Sequence, residues 1–99
     1  MTAAPRIPIF RRDRTVAARD IDLLGHVNNV VWVRYVVELA AAHADALGVG
    51  FEVTRELGGI WIVRRHDVLY HANVSGGSTI RESTWVSSLR GALSLRHAR

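Results

Sequence analysis

The 99-residue sequence contains no cysteine, which excludes disulfide staples, thiolate metal sites and a cysteine nucleophile together. It contains no lysine either: all 13 basic residues are arginine, against 9 acidic ones, for a net charge of +4. Arginine's planar fork suits phosphate and carboxylate, although a GC-rich coding bias produces the same composition. The arginines are scattered from Arg6 to Arg99 with no basic run interleaved with aromatics, which points away from a nucleic-acid partner. No charge-free apolar run approaches the length of about 18 residues that suggests a membrane span. The N-terminal MTAAPRIPIFRRDR lacks the apolar centre of a signal peptide, so a soluble, cytoplasmic protein with no membrane partner is expected. With only 2 prolines and 8 glycines, and with 48% apolar and 22% charged residues, the composition is neither fibrous nor disordered. Residues 1–99 read as one domain, because two would each fall below the size of a self-sufficient core.

Pro5 and Pro8 favour an extended start. From Phe10 to Asp22 the pattern predicts a strand with Phe10, Val16 and Ala18 on one side and Arg11, Asp13, Thr15 and Arg19 on the other, with Arg12 and Arg14 interrupting the apolar side. Asn28 or Asn29 offers an N-cap to the apolar segment VVWVRYVVELAAAHADAL, which stops at Gly48, a residue type favoured just past a helix end. Apolar residues occupy nearly every angular position of its first turns, which predicts a helix surrounded by a curved sheet. The late residues His43 and Asp45 are expected in solvent. Further strands are predicted over Gly58–Tyr70, Thr79–Leu89 and Ala92–His97, with turns at Ser75-Gly76-Gly77-Ser78 and Arg90-Gly91. The expected class is α+β, one long central helix wrapped by a curved antiparallel sheet.

Chemistry-bearing residues gather in Asp20-Ile21-Asp22-Leu23-Leu24-Gly25-His26-Val27-Asn28-Asn29. On an extended chain Asp20 and Asp22 point to one face, and Gly25 permits a tight turn that brings His26 back toward Asp22. The helix that follows presents its unpaired N–H groups and positive dipole end to the same place. A carboxylate or imidazole beside such donors suits hydrolysis, one group attacking or activating water while the N–H groups hold a developing oxyanion. The same residues can also do no more than cap the helix and bend the chain. A metal site is not expected, since Asp20, Asp22 and His26 lack helical His spacing or a second ligand cluster.

The stretch DIDLLGHVNNVVWVRYVVELA resembles the signature of the hotdog-fold acyl-CoA thioesterases, of the 4-hydroxybenzoyl-CoA thioesterase kind, and the HVNN segment of plant fatty acyl-ACP thioesterases. The later VRRHDVLYHANVSGGSTIRESTWV is similar to the family's strand pair, so the likeness spans roughly residues 10 to 97. It implies the hotdog fold, and hydrolysis of an acyl-CoA or acyl-carrier-protein thioester without a cofactor. It implies Asp22 as nucleophile or general base, His26 in the site, the backbone N–H at Asn29 polarising the carbonyl, and Asn28 positioning substrate. Leu24 stands where the plant enzymes carry a further Asn, which leaves Asp22 with more of the work. Another hotdog group uses a mid-helix acid, which makes Glu38 the alternative catalytic carboxylate. Arg64 and Arg65 are candidates for binding the phosphates of coenzyme A.

The family's members are longer, which implies a further strand beyond RGALSLRHAR. They also assemble. A strand such as GGIWIVRRHD at a sheet edge would expose Trp61, Ile62 and unpaired backbone, and pairing with a second copy removes that liability, so a homodimer or homotetramer is expected. A non-catalytic acyl-CoA-binding or dimerisation module, or a hotdog hydratase, remains the alternative to a hydrolase.

Overall fold

A computed structural model describes residues 8–99; Pro5 and Arg6 lie outside them. The chain is α+β, with one long helix beside an open three-stranded antiparallel sheet, an arrangement consistent with the hotdog fold. Strand β1 is Phe10–Thr15, helix α1 is Asn29–Ala46, a short helix α2 is Phe51–Glu56, and strands β2 and β3 are Thr79–Arg90 and Leu93–Ala98. The sheet order is β1-β2-β3, so β2 is central; Arg12 faces Glu82 across one ladder and Thr84 faces Ala98 across the other. No helix among the described residues is long and apolar enough to cross a membrane.

The turns arise where glycine permits them. Gly77 takes φ 79° between Ser75 and Ser78, and Gly91 takes φ 54° between β2 and β3, conformations that cost a Cβ-bearing residue dearly. Helix α1 begins and ends within a residue of the predicted bounds. Strand β1 is shorter than predicted: after Thr15 the chain leaves the ladder and winds into a single 3-10 turn, Ala18–Asp20, that swings Asp20 inward.

The stretch Gly58–Tyr70 corrects the reading more deeply. It forms no strand; residues 59–74 run without a ladder, leaving Trp61 61% and Ile62 78% exposed. Alternating sequence supplies a strand's faces but not its neighbour, and the segment pairs with neither outer edge of the sheet, on β1 or on β3. Helix α1 is likewise not surrounded. Tyr35, Leu39 and His43, spaced four apart on one stripe, are buried, while Val30 is 77% exposed on another. Three strands cover one side of a helix and no more.

What fills the covered side is unexpectedly polar. Val16, Val27 and Tyr35 form a small apolar core, packed by Ile21, Val31, Trp32, Val74 and Ile80. Beyond it, the sheet face toward α1 carries Arg12, Arg14, Glu82 and Thr84, the first two being the residues that interrupt the apolar side of β1. Glu82, its side chain 8% exposed, accepts from Arg12 Nε at 3.0 Å and Arg14 Nε at 2.9 Å. Arg14 Nη1 reaches across to Glu38 Oε2 at 2.9 Å, and its guanidinium lies 4.0 Å over the Tyr35 ring. His43, expected in solvent, is only 2% exposed. It stacks on Phe10 at 5.3 Å and accepts from Arg96 Nη1 at 2.8 Å on Nδ1. Its position four residues beyond Leu39 on the buried stripe outweighs its polarity.

Two consequences are measurable. Glu82→Ala leaves Arg14 buried without its main counter-ion and should cost about 3 kcal/mol in a urea titration; a loss near zero would show that the ion cluster contributes nothing. For His43, burial first and the Arg96 charge second hold the imidazole below its ordinary 6.5, against a hydrogen bond to the Pro8 backbone. The unfolded chain therefore binds that proton more readily, so stability is greatest above 6.5 and falls as pH drops through 6.5 toward the folded value. Urea midpoints at about pH 7.5 and about pH 5.5 should separate in the wild type and converge in His43→Gln.

Candidate active site

The candidate site lies where the chain turns from β1 into α1. Ile21 bridges Val27, and between them Asp22 N donates to the His26 carbonyl at 2.9 Å while Gly25 N donates to the Asp22 carbonyl at 3.0 Å. Gly25 accommodates this tight loop with φ 78°. Asp22 Oδ1 accepts from Leu24 N at 2.9 Å and from His26 N at 3.4 Å, the short-range bonding that draws Asp into turns. Its Oδ2 takes no hydrogen bond among the described residues. The half-buried His26 pairs with Ser75 through backbone, and Val27 N donates to the Val74 carbonyl at 2.9 Å, which ties the loop to the chain leading into β2.

Asp20 behaves differently from its neighbour. It is 5% exposed, accepts from Tyr35 Oη on Oδ2 and from Arg34 Nη2 on Oδ1, both at 2.6 Å, and its carbonyl accepts from Asn28 N at 3.2 Å. The Tyr35 bond first, and Arg34 second, hold its carboxyl below the usual aspartate value despite burial. Burial, and then the same bond to Asp20, push the Tyr35 phenol up to about 12. The two aspartates of the motif therefore do not share a face, because the 3-10 turn rotates Asp20 into the protein.

Asn28 is the N-cap: its Oδ1 accepts from Val30 N at 3.0 Å and its carbonyl from Val31 N at 2.9 Å. The Asn29 N–H has no acceptor among the described residues, and the Asn29 carbonyl accepts from Tyr70 Oη at 3.0 Å. From Asn29 an open groove of about 560 Å³ follows the helix, lined by Val30, Val33, Arg34, Val37 and Tyr70. Glu38 bonds to Arg14 through Oε2 and pairs with Arg34 at 3.4 Å through Oε1. Arg64 and Arg65 lie on the exposed 59–74 segment, away from any ladder, and Arg65 pairs with Asp67 at 3.2 Å. The structure thus gathers Asp22, His26, Asn28 and Asn29 into one loop and helix start, with Glu38 in a separate ion cluster. Arg34, Tyr35 and Tyr70 were not singled out from sequence as site residues, and Asp20 was expected beside Asp22 and not as the buried partner of Tyr35 and Arg34. Arg34 and Tyr35, polar residues within an apolar helix run, were the available signal.

A family model of the acyl-ACP thioesterase N-terminal domain matches residues 8–98. The chain belongs to this family. No curated protein matches it. Membership in the acyl-ACP thioesterase family supports thioester hydrolysis as the class of chemistry and an acyl thioester as the substrate. The matched segment contains the Asp22 loop, the cap, the helix and all three strands of the thioesterase domain. Within it the cap is separable from the chemistry: Asn28→Ala should lower stability by about 1 kcal/mol, read as a reduced urea midpoint. An unchanged midpoint would mean that Val30 N finds water just as favourably.

Proposed function

We propose that this chain hydrolyses an acyl thioester of coenzyme A or of an acyl-carrier protein to the acid and thiol, with Asp22 as nucleophile or general base. One observation carries the reading, the uneven use of acids around the helix start. Both oxygens of Asp20 are bound by Tyr35 and Arg34, and both of Glu38 face arginines. Asp22 uses Oδ1 on its own loop amides and keeps Oδ2 open.

A thioester carbonyl is already electrophilic and a thiolate leaves readily, so an oriented carboxylate with one or more N–H donors suffices. As nucleophile, Asp22 Oδ2 bonds to the carbonyl carbon and the C–S bond breaks. The thiolate takes a proton from solvent, and water then cleaves the mixed anhydride. As general base, Asp22 takes the proton from water as its oxygen adds to the carbonyl, and that proton passes to the departing thiolate. Either way the developing oxyanion meets the Asn29 N–H at the positive end of α1. Asn28 keeps that end capped, and His26 flanks the reacting groups.

The groove along Val30, Val33 and Val37 suits the acyl chain. The exposed Arg64 and Arg65 suit the phosphates of coenzyme A, Arg64 more so because Arg65 already meets Asp67. The unladdered, apolar Ile60–Val63 stretch favours assembly with a second copy.

Thiol release from a panel of acyl-CoA and acyl-carrier-protein thioesters tests the proposal. Asp22→Asn should lower kcat/KM by about 10²-fold or more with the far-UV spectrum unchanged, while Glu38→Gln stays within about tenfold of wild type. A fully active Asp22→Asn beside an inactive Glu38→Gln would move the chemistry to Glu38. Turnover of no ester in the panel would leave a non-catalytic binding or dimerisation module.

A further inference from the structure

The proposed hydrolysis makes no direct use of Asp20, yet it is the acid buried at the site, 5% exposed. Through Oδ1 and Oδ2 it holds Arg34 and Tyr35, side chains from the second turn of α1. Through its carbonyl it holds the amide of Asn28, the helix cap. One residue further on, Ile21 bridges Val27 at the base of the Asp22 loop. Three parts therefore meet at Asp20: the loop that carries Asp22 and His26, the cap, and the helix whose first amide belongs to Asn29.

Little else fixes the loop from outside. Leu23 is 105% exposed at its tip and Leu24 79%. Its internal bonds preserve its shape but do not set where that shape sits against the helix. Beyond Asp20, the ties that do so are the His26–Ser75 bridge, beside which the Val27 amide donates to the Val74 carbonyl ahead of β2, and the packing of Ile21 and Val27 with Tyr35 in the small core, which is apolar and sets no direction for the carboxylate.

We propose that Asp20, clamped by Tyr35 and Arg34, is a positioning residue that sets the separation of the Asp22 carboxylate from the Asn29 N–H. The proposal rests on the hydrolytic reading above. Attack and oxyanion binding must occur on one carbonyl group at the same moment, so a carboxylate displaced relative to its donor loses rate even when substrate binds as before. Asp20 touches no reacting atom. The buried Tyr35 ring packs in the core whether or not its hydroxyl is present, which separates the clamp from the packing.

The experiment compares wild type, Asp20→Asn and Tyr35→Phe in two readouts: steady-state hydrolysis of saturated acyl-CoA esters, and backbone amide exchange across residues 22–29. Expected is a fall in kcat of about tenfold or more with KM held within about twofold, in variants that remain folded at the assay temperature. Exchange should quicken from Leu24 to Asn28, the loop amides that have acceptors, while the amides at the centre of α1 stay protected. Unchanged kcat in a folded variant overturns the proposal, as does a rate loss that merely follows the unfolded fraction. Unchanged exchange in the loop also overturns it. Should Asp20→Asn fail to fold, Tyr35→Phe decides alone, since it removes one hydroxyl and keeps the ring. Should wild type turn over neither acyl-CoA nor acyl-carrier-protein thioesters, the hydrolytic reading fails, and loop exchange still decides whether the clamp exists.

Discussion

Arg14 is the interaction on which the arrangement turns. From one strand position it donates to Glu82 on the neighbouring strand and to Glu38 on the helix, and it lies over the ring of Tyr35. Burial alone would make its charge costly, but the hydrogen bonds to Glu82 and Glu38 outweigh that, and its pKa is raised. Charges buried this way add little net stability over well-packed apolar groups, yet they are expensive to break singly. Their contribution here is to alignment. A slip of one residue between β1 and β2 would turn Arg12 and Arg14 outward and strand Glu82 against the helix without a cation.

From Arg14 the charges run toward the site without interruption. Glu38 connects Arg14 to Arg34, and Arg34 connects to Asp20 beneath the loop. The sheet and the site loop are thereby fastened to opposite ends of one short stretch of helix, from Arg34 to Glu38. This chain also sorts the acids. The acids within it are already engaged, because each of their carboxylate oxygens faces an arginine or tyrosine donor. Asp22, two residues past Asp20 and outside this run of charges, keeps an oxygen available.

The sequence made the cap, the helix bounds and both glycine turns readable, because each depends on residues within four positions of one another. Which aspartate of the pair is structural was not readable. A period of two puts Asp20 and Asp22 on the same face only while the chain stays extended, and the 3-10 turn at Ala18–Asp20 ends that condition. The partners of Arg12 and Arg14 lie 70 and 68 residues away, so the two arginines looked like faults in a strand when they are its inward contacts. Gly58–Tyr70 has every local mark of a strand and lacks a ladder, because pairing is decided by what lies alongside. His43 followed its place on the helix stripe and not its polarity.

The helix is apolar around nearly the whole circumference of its first turns, yet only the stripe through Tyr35, Leu39 and His43 is fully buried. The uncovered stripe through Val30, Val33 and Val37 walls the groove that starts at Asn29. Arg34 also lines that groove and would ordinarily draw an anion into it. Its guanidinium is instead held between Asp20 and Glu38, so the charge it presents to the groove is already neutralised. Under the hydrolytic reading proposed above, an acyl group lying there would meet valine methyls and a compensated cation. The bonds that hold the loop to the helix thus also keep the groove wall without net charge.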